Sequence, residues 1–270
     1  MTEQEYNQKE GNRRSDLWRM EESAEKYRWC LDHPAEQTPA MAFGVAAHKM
    51  MLEPATFGDE YAIAPNVDKR TKEGKAEWAA FCEQNAGKTA LGQKDADTRD
   101  GMEEALLRCR MAKYLLRGPG ETEEAFFWTD GETGEPCKIR CDRLVQFDDR
   151  LYVVDYKTTT NARTERFNHD IWKPGYHMQA GMYTEGVMAA RGLEERPGFL
   201  FVAQEKDAPY SVNVIEVSDD VMAAGVAKFH ELLRKMHECR EIDLWPGYVD
   251  DLPNETTLPG WYSLSGEEEE

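Results

Sequence analysis

Asp142, Asp155 and Lys157 fall in one 20-residue stretch, KIRCDRLVQFDDRLYVVDYK, residues 138–157. It reads as two strands joined by a polar turn at Asp148, Asp149 and Arg150. Side chains alternate along a strand, so Leu151, Val153, Asp155 and Lys157 project one way and Tyr152, Val154 and Tyr156 the other. Lys138, Arg140 and Asp142 share a face on the preceding strand by the same rule. A hairpin closed at the turn lets the faces carrying Asp142 and Asp155 converge. Two carboxylates and an ammonium at the end of an apolar run are costly to bury without a partner. Together they suit a hard divalent cation and a phosphate bound to it.

The elements that must position these groups follow from periodicity and punctuation. Residues 1–14 are polar and are expected to be disordered. Ser15 is a candidate N-cap for a helix over Ser15–Cys30, and a second helix runs from Ala40 until Pro54 ends it. On that second helix Gly44 precedes His48 by one turn and leaves room beside the imidazole, which is either a metal ligand or a core histidine satisfied by a carbonyl. After a loop over 55–70, helices are expected near 71–86 and 93–117, stopped by Gly118, Pro119 and Gly120. Strands over 121–130, 137–147 and 151–157 form a three-stranded antiparallel meander. Glu124 shares a face with Phe126 and Trp128, where it either caps the edge or reaches the metal centre. A helix from Gly175 to Arg191 carries Gln179 and Tyr183 one turn apart, on its functional face or merely at its polar rim. Strands GFLFVAQE and YSVNVIEV and a helix over 218–239 complete the body. The expected class is α/β (α+β), with a central mixed sheet flanked by helices. One domain spans 15–240, with a helical part over 15–120 and a sheet–helix core over 121–240. Residues 241–270 form an extension ending in an acidic tail, GEEEE.

Composition narrows the function. No apolar run approaches the roughly 20 residues of a membrane span, so no membrane partner is expected, and the polar N-terminus does not resemble a signal peptide. The cytoplasm is the expected compartment. Six scattered cysteines read as reduced core thiols, without a disulfide framework or zinc site. The net charge of −19 opposes nucleic-acid binding taken over the whole chain. Locally the balance reverses: residues 138–173 carry eight basic against six acidic side chains. An acidic, non-catalytic DNA mimic accounts for the overall charge, but it gives no reason for a lysine two residues after a strand aspartate.

Gly44 and His48, Asp142, Asp155-Tyr156-Lys157, and Gln179 with Tyr183 occur in the order and spacing of a known set. The segments CKIRCDRL, VVDYKTT and YHMQAGMY resemble the PD-(D/E)XK nuclease superfamily, and within it the RecB-like branch and the exonuclease VIII (RecE-type) nuclease domain of prophages. The likeness covers roughly residues 15–240. It departs from the nominal pattern at Cys141-Asp142 in place of Pro-Asp and at Asp155 in place of Glu. Only Cys239 follows the Gln179–Tyr183 helix, too few thiols for the iron–sulfur cluster of some relatives. The resemblance implies a restriction-endonuclease-like core in a bacterial or phage-encoded protein. It implies Mg²⁺, with Mn²⁺ accepted, held by Asp142, Asp155, His48 and the Tyr156 carbonyl, with Glu124 a further candidate. Lys157 then acts on the attacking water or the transition state, and Gln179 and Tyr183 position the strand or the lysine. Arg140, Arg143 and Lys173 are candidates for gripping phosphate. The implied activity is an exonuclease working from double-strand DNA ends, degrading 5′ to 3′ and leaving 3′ tails for a single-strand annealing protein. The implied assembly is a homo-oligomeric ring, a tetramer by resemblance. An endonuclease of the same superfamily and a degenerate relative are the alternatives.

Overall fold

A computed structural model describes residues 1, 3–34, 39–248 and 255–257. The first part is helical: α1 (Glu3–Gln8), α2 (Arg14–Leu17), a 3₁₀ turn over Trp18–Glu21, α3 (Ala24–Asp32) and α4 (Pro39–Leu52). The short α5 (Phe57–Glu60) leads into β1 (Tyr61–Ile63), which pairs in parallel with β2 (Thr89–Leu91) across α6 (Lys72–Gln84). Then come α7 (Gln93–Arg108) and α8 (Arg110–Arg117). The second part holds β3 (Glu121–Thr129), β4 (Pro136–Phe147), β5 (Arg150–Thr159), α9 (Thr164–Asp170), α10 (Tyr176–Arg191), β6 (Gly198–Glu205), β7 (Val212–Glu216) and α11 (Asp219–Ile242).

The five long strands form one mixed sheet in the order β3-β4-β5-β6-β7, with β5 and β6 parallel and the other pairs antiparallel. The expected meander is its first three strands. Alternation along β6 explains how the sheet is covered. Phe199, Phe201 and Ala203 enter one core with α10 and α11, while Leu200 and Val202 enter the other with α4, α7 and α8. A strand buried on both faces reads as an unbroken apolar run, which GFLFVA, residues 198–203, is. On the first face α10 and α11 approach closely because their contact is built from glycines. A Cβ at Gly225 would lie 1.9 Å from the His177 carbonyl oxygen, and one at Gly181 would lie 2.4 Å from the Val226 nitrogen.

Two departures from the expected layout shape the site. The Ser15–Cys30 segment is not one helix. It breaks at the 3₁₀ turn, and Ser23 rather than Ser15 caps α3, accepting from the Lys26 N–H at 3.0 Å. The described residues of the N-terminal segment, expected to be disordered, also take a defined place. Asn12 forms a parallel bridge with Cys137, its N–H donating to the Pro136 carbonyl at 2.8 Å and its carbonyl accepting from the Lys138 N–H at 3.1 Å. The reason lies in β4, whose pairing with β5 stops at Arg143–Val154 although β4 runs on to Pro136. The edge thus left open would otherwise present unpaired backbone groups, and the N-terminal segment takes them. Trp245, beyond the expected domain end at 240, stacks on Tyr27 with ring centroids 5.6 Å apart. The acidic tail, 266–270, lies outside the described residues.

Candidate active site

The site occupies the notch where β4 and β5 part. Below the last paired residues, Asp142 reaches across and its Oδ2 accepts the Tyr156 N–H at 2.8 Å, replacing the missing ladder bond. The alternation of β4 slips here. Cys137, Ile139 and Cys141 face the α10 side, yet Leu144 does so too and Val145 faces α4. Opposite the slip, Glu123 on β3 has φ +53°, a left-handed conformation that side-chain-bearing residues adopt at a cost. Together the two irregularities aim Glu123 and Asp142 at one point.

His48, on α4, enters from the other layer. Its Nε2 lies 2.7 Å from Asp142 Oδ2 and its Nδ1 lies 3.5 Å from Glu123 Oε1. A Cβ at Gly44 would meet nothing within 4 Å, so that glycine opens onto a cavity of about 910 Å³ shared with His48, Glu123 and Arg140. His48 is therefore not a core histidine held by a carbonyl. Asp155 is buried. Its Oδ1 accepts from Gln179 Nε2 on α10, and its Oδ2 lies 2.6 Å from Lys157 Nζ without a well-aligned hydrogen bond. Lys157 in turn sits 5.0 Å from the Tyr176 ring centroid.

The charges set one another. Burial pulls the His48 imidazole down, but Asp142 and then Glu123 and Asp155 outweigh it and raise its pKa to about 9. Glu123 is pushed up to about 7 by burial and by the Asp142 charge. Burial would raise Asp142 as well; His48, Lys157 and the Tyr156 N–H hold it below the usual carboxylate range. Asp155 is raised by burial and by Asp142 in spite of Lys157. Burial alone would depress Lys157, and the attraction of Asp155 and Asp142 lifts it above the ordinary lysine value. Like charges this close, one of them with a buried oxygen lacking a hydrogen bond, are the signature of a place for a cation. Donor atoms of His48, Glu123 and Asp142 lie within 4.8 Å of one another, and Asp155 is near enough for its charge to act on His48 and to feel that of Asp142. Two carboxylates and one imidazole, with the Asp155 carboxylate nearby, are a hard-to-borderline donor set, which fits Mg²⁺ or Mn²⁺.

Of the residues singled out from sequence, His48, Asp142, Asp155, Lys157 and Gln179 meet here. Tyr183, one turn beyond Gln179, lines the neighbouring cavity with Lys157. Glu124 does not reach the centre. It is exposed, because the left-handed residue before it turns Glu123 inward instead. Arg143 does not grip phosphate. It is buried and donates to the Leu115 carbonyl at 3.2 Å, the Gly118 carbonyl at 2.5 Å and Thr122 Oγ1 at 2.6 Å, fastening the end of α8. Arg140 pairs with Glu123 at 2.6 Å, and Lys173 is exposed in a small cavity that it shares with Lys157. Glu123 was missed because strict alternation gives its neighbour the inward face.

A family model described as a PDDEXK-like domain of unknown function (DUF3799) matches residues 14–252. Among curated protein sequences none matches the chain. The crystal structure of a candidate exonuclease from Eubacterium rectale superposes with a TM-score of 0.62, covering 96% of each chain at 13% identity. At that identity the likeness is one of fold. A second solved structure, SSO0001, covers 70% of this chain and 84% of its own at 15% identity, with a TM-score of 0.30. No described helix is long and apolar enough to cross a membrane.

Proposed function

This chain belongs to the PDDEXK-like domain family (DUF3799), and from that premise we propose that it is a divalent-metal-dependent deoxyribonuclease acting as an exonuclease on double-strand ends. The observation that carries the reading is the notch itself: His48, Glu123 and Asp142 gathered around one point, with Asp155 next to them and the half-buried Lys157 ammonium 2.6 Å from Asp155. An acidic DNA mimic has no use for such an arrangement.

His48, Glu123, Asp142 and Asp155 would hold Mg²⁺ or Mn²⁺. When bound, the metal would lower the pKa of a water and offset the negative charge growing on phosphorus. The protein's own groups divide the remaining work. Lys157, lifted above the ordinary lysine value, stays an ammonium at neutral pH. It therefore donates to the attacking water or to a phosphate oxygen and does not serve as a general base. Gln179 fixes the Asp155 carboxylate through its amide N–H. Arg140 neutralises Glu123 on the side facing the basic cavity.

A chain of net charge −19 holds duplex DNA poorly, since it releases few counterions. Enclosing the duplex within a ring of several copies, with basic surfaces inward, offsets that weakness and requires threading from an end. Recession of one strand, 5′ to 3′, leaves a 3′ tail for an annealing protein. The test compares a covalently closed plasmid with the same plasmid linearised, in Mg²⁺, alongside light scattering. Degradation of the linear form alone by an oligomer is expected. Equal degradation of both forms, or a monomer, replaces this reading with the endonuclease one.

A further inference from the structure

Beside the acidic centre, across Lys157 and Arg140, lies a second cavity of about 390 Å³ with the opposite character. Five cations line it: Arg13, Arg14, Lys138, Arg140 and Lys157. Three are already neutralised, Arg13 by Asp16 at 2.8 Å, Arg140 by Glu123 and Lys157 by Asp155. The other two hold only uncharged acceptors. Lys138 is buried, and its Nζ donates to the carbonyls of Tyr6, Asn7 and Lys9. Arg14 donates a long 3.4 Å bond from Nη2 to Gln179 Oε1, and its Nε is buried with no hydrogen-bond partner. A buried guanidinium N–H without an acceptor is costly, and the Arg14 guanidinium has only the long Gln179 bond at the wall of a cavity whose lining, among the described residues, includes no carboxylate. Tyr6, Ser15 and Tyr183 add hydroxyl groups to the same wall.

Resting on the nuclease reading above, we propose that this cavity binds the terminal phosphate monoester of a DNA strand. Charge decides between a terminal and an internal phosphate. Near neutral pH a phosphate monoester carries about −1.5 to −2 and three acceptor oxygens, whereas an internal diester carries a single charge. Two cations without a carboxylate match the monoester. Arg14 supplies directed donors. Lys138, its protons engaged by carbonyls, contributes its charge. The cavity exists only because the N-terminal segment is fastened to the open edge of β4, for Tyr6, Asn7, Arg13, Arg14 and Ser15 all come from it. The strand end is thereby held on the far side of Lys157 from the metal ligands, which sets the distance from the terminus to the bond that is cut.

The experiment measures affinity without cleavage: fluorescence anisotropy of short blunt duplexes in EDTA with the full chain. Three duplexes are compared, with hydroxyl ends, with 5′-phosphates and with 3′-phosphates. One phosphorylated form is expected to bind tenfold or more tightly than the hydroxyl form. Inorganic phosphate at millimolar concentration should reduce that difference, and Arg14→Gln should bring the ratio toward one while Arg14→Lys restores part of it. Equal affinity for all three duplexes overturns the proposal, as does an advantage that inorganic phosphate leaves intact. Both of these outcomes are read on wild type, so they stand even if the variants fail to fold. Mg²⁺-dependent cleavage of the hydroxyl-ended duplex is scored separately, so loss of the end preference and loss of the nuclease reading are distinguishable.

Discussion

In the metal-free protein a proton does part of the metal's work, and its release should be visible as a loss of stability on raising the pH. His48 has a pKa of about 9 in the fold against 6.5 when unperturbed. Between these values the native state keeps a proton that the unfolded chain has released. The unfolded state then binds fewer protons, so the His48 contribution to stability is complete below pH 6.5 and falls as the pH rises to 9. The full gap corresponds to about 3 kcal/mol at most. The His48 side chain is 32% exposed, so solvent screening reduces this to roughly 1–2 kcal/mol. For a chain of this size that is a fall in Tm of about 2–8 °C. Thermal melts in EDTA at pH 6, 7.5 and 9 and constant ionic strength measure it. His48→Gln is the control, because charge repulsion within a chain of net charge −19 is common to both proteins. The wild type should lose more stability than the variant across this window. Saturating Mn²⁺ should reverse the trend, since its ligands bind better once deprotonated. Parallel curves for wild type and His48→Gln, or a Mn²⁺ stabilisation equal at pH 6 and 9, would refute the reasoning.

Two further predictions separate site from scaffold. Glu123→Gln should weaken Mn²⁺ binding in calorimetry by about tenfold or more, while Glu124→Gln leaves it unchanged; equal effects would return the ligand role to the exposed residue. Gly225→Ala places a methyl group against the His177 carbonyl and should cost about 2–4 kcal/mol in urea unfolding, whereas a loss below about 0.5 kcal/mol would mean that α10 and α11 are free to move apart.

Much of the site was legible because its chemistry is carried by regular elements. Asp155 and Lys157 are two apart on a strand, and Gln179 and Tyr183 are one turn apart on a helix, so periodicity alone orients them. The unread parts are those where periodicity fails. Glu124 had the inward face by alternation, and a single left-handed residue gave the role to Glu123. Arg143 was a candidate phosphate ligand through the resemblance, but the slip in β4 turns it toward the end of α8. The first fourteen residues are polar and lack a hydrophobic pattern. Their order comes from an edge of β4 that is open only because β4 and β5 separate, a tertiary fact with no local signal. The same segment supplies Arg13 and Arg14 to the basic cavity, so the basic half of the site was the less visible half.

The central claim is that the groups in the notch hydrolyse DNA with a divalent metal. An end-labelled linear duplex incubated with the protein, with and without Mg²⁺, tests it most directly, with Asp155→Asn and Lys157→Met run beside the wild type. The wild type should release labelled nucleotides only when the metal is present, and both variants should release none while still melting cooperatively. Nucleotide release by Asp155→Asn at a rate near that of the wild type, or an intact duplex with folded wild-type protein in both Mg²⁺ and Mn²⁺, would contradict it.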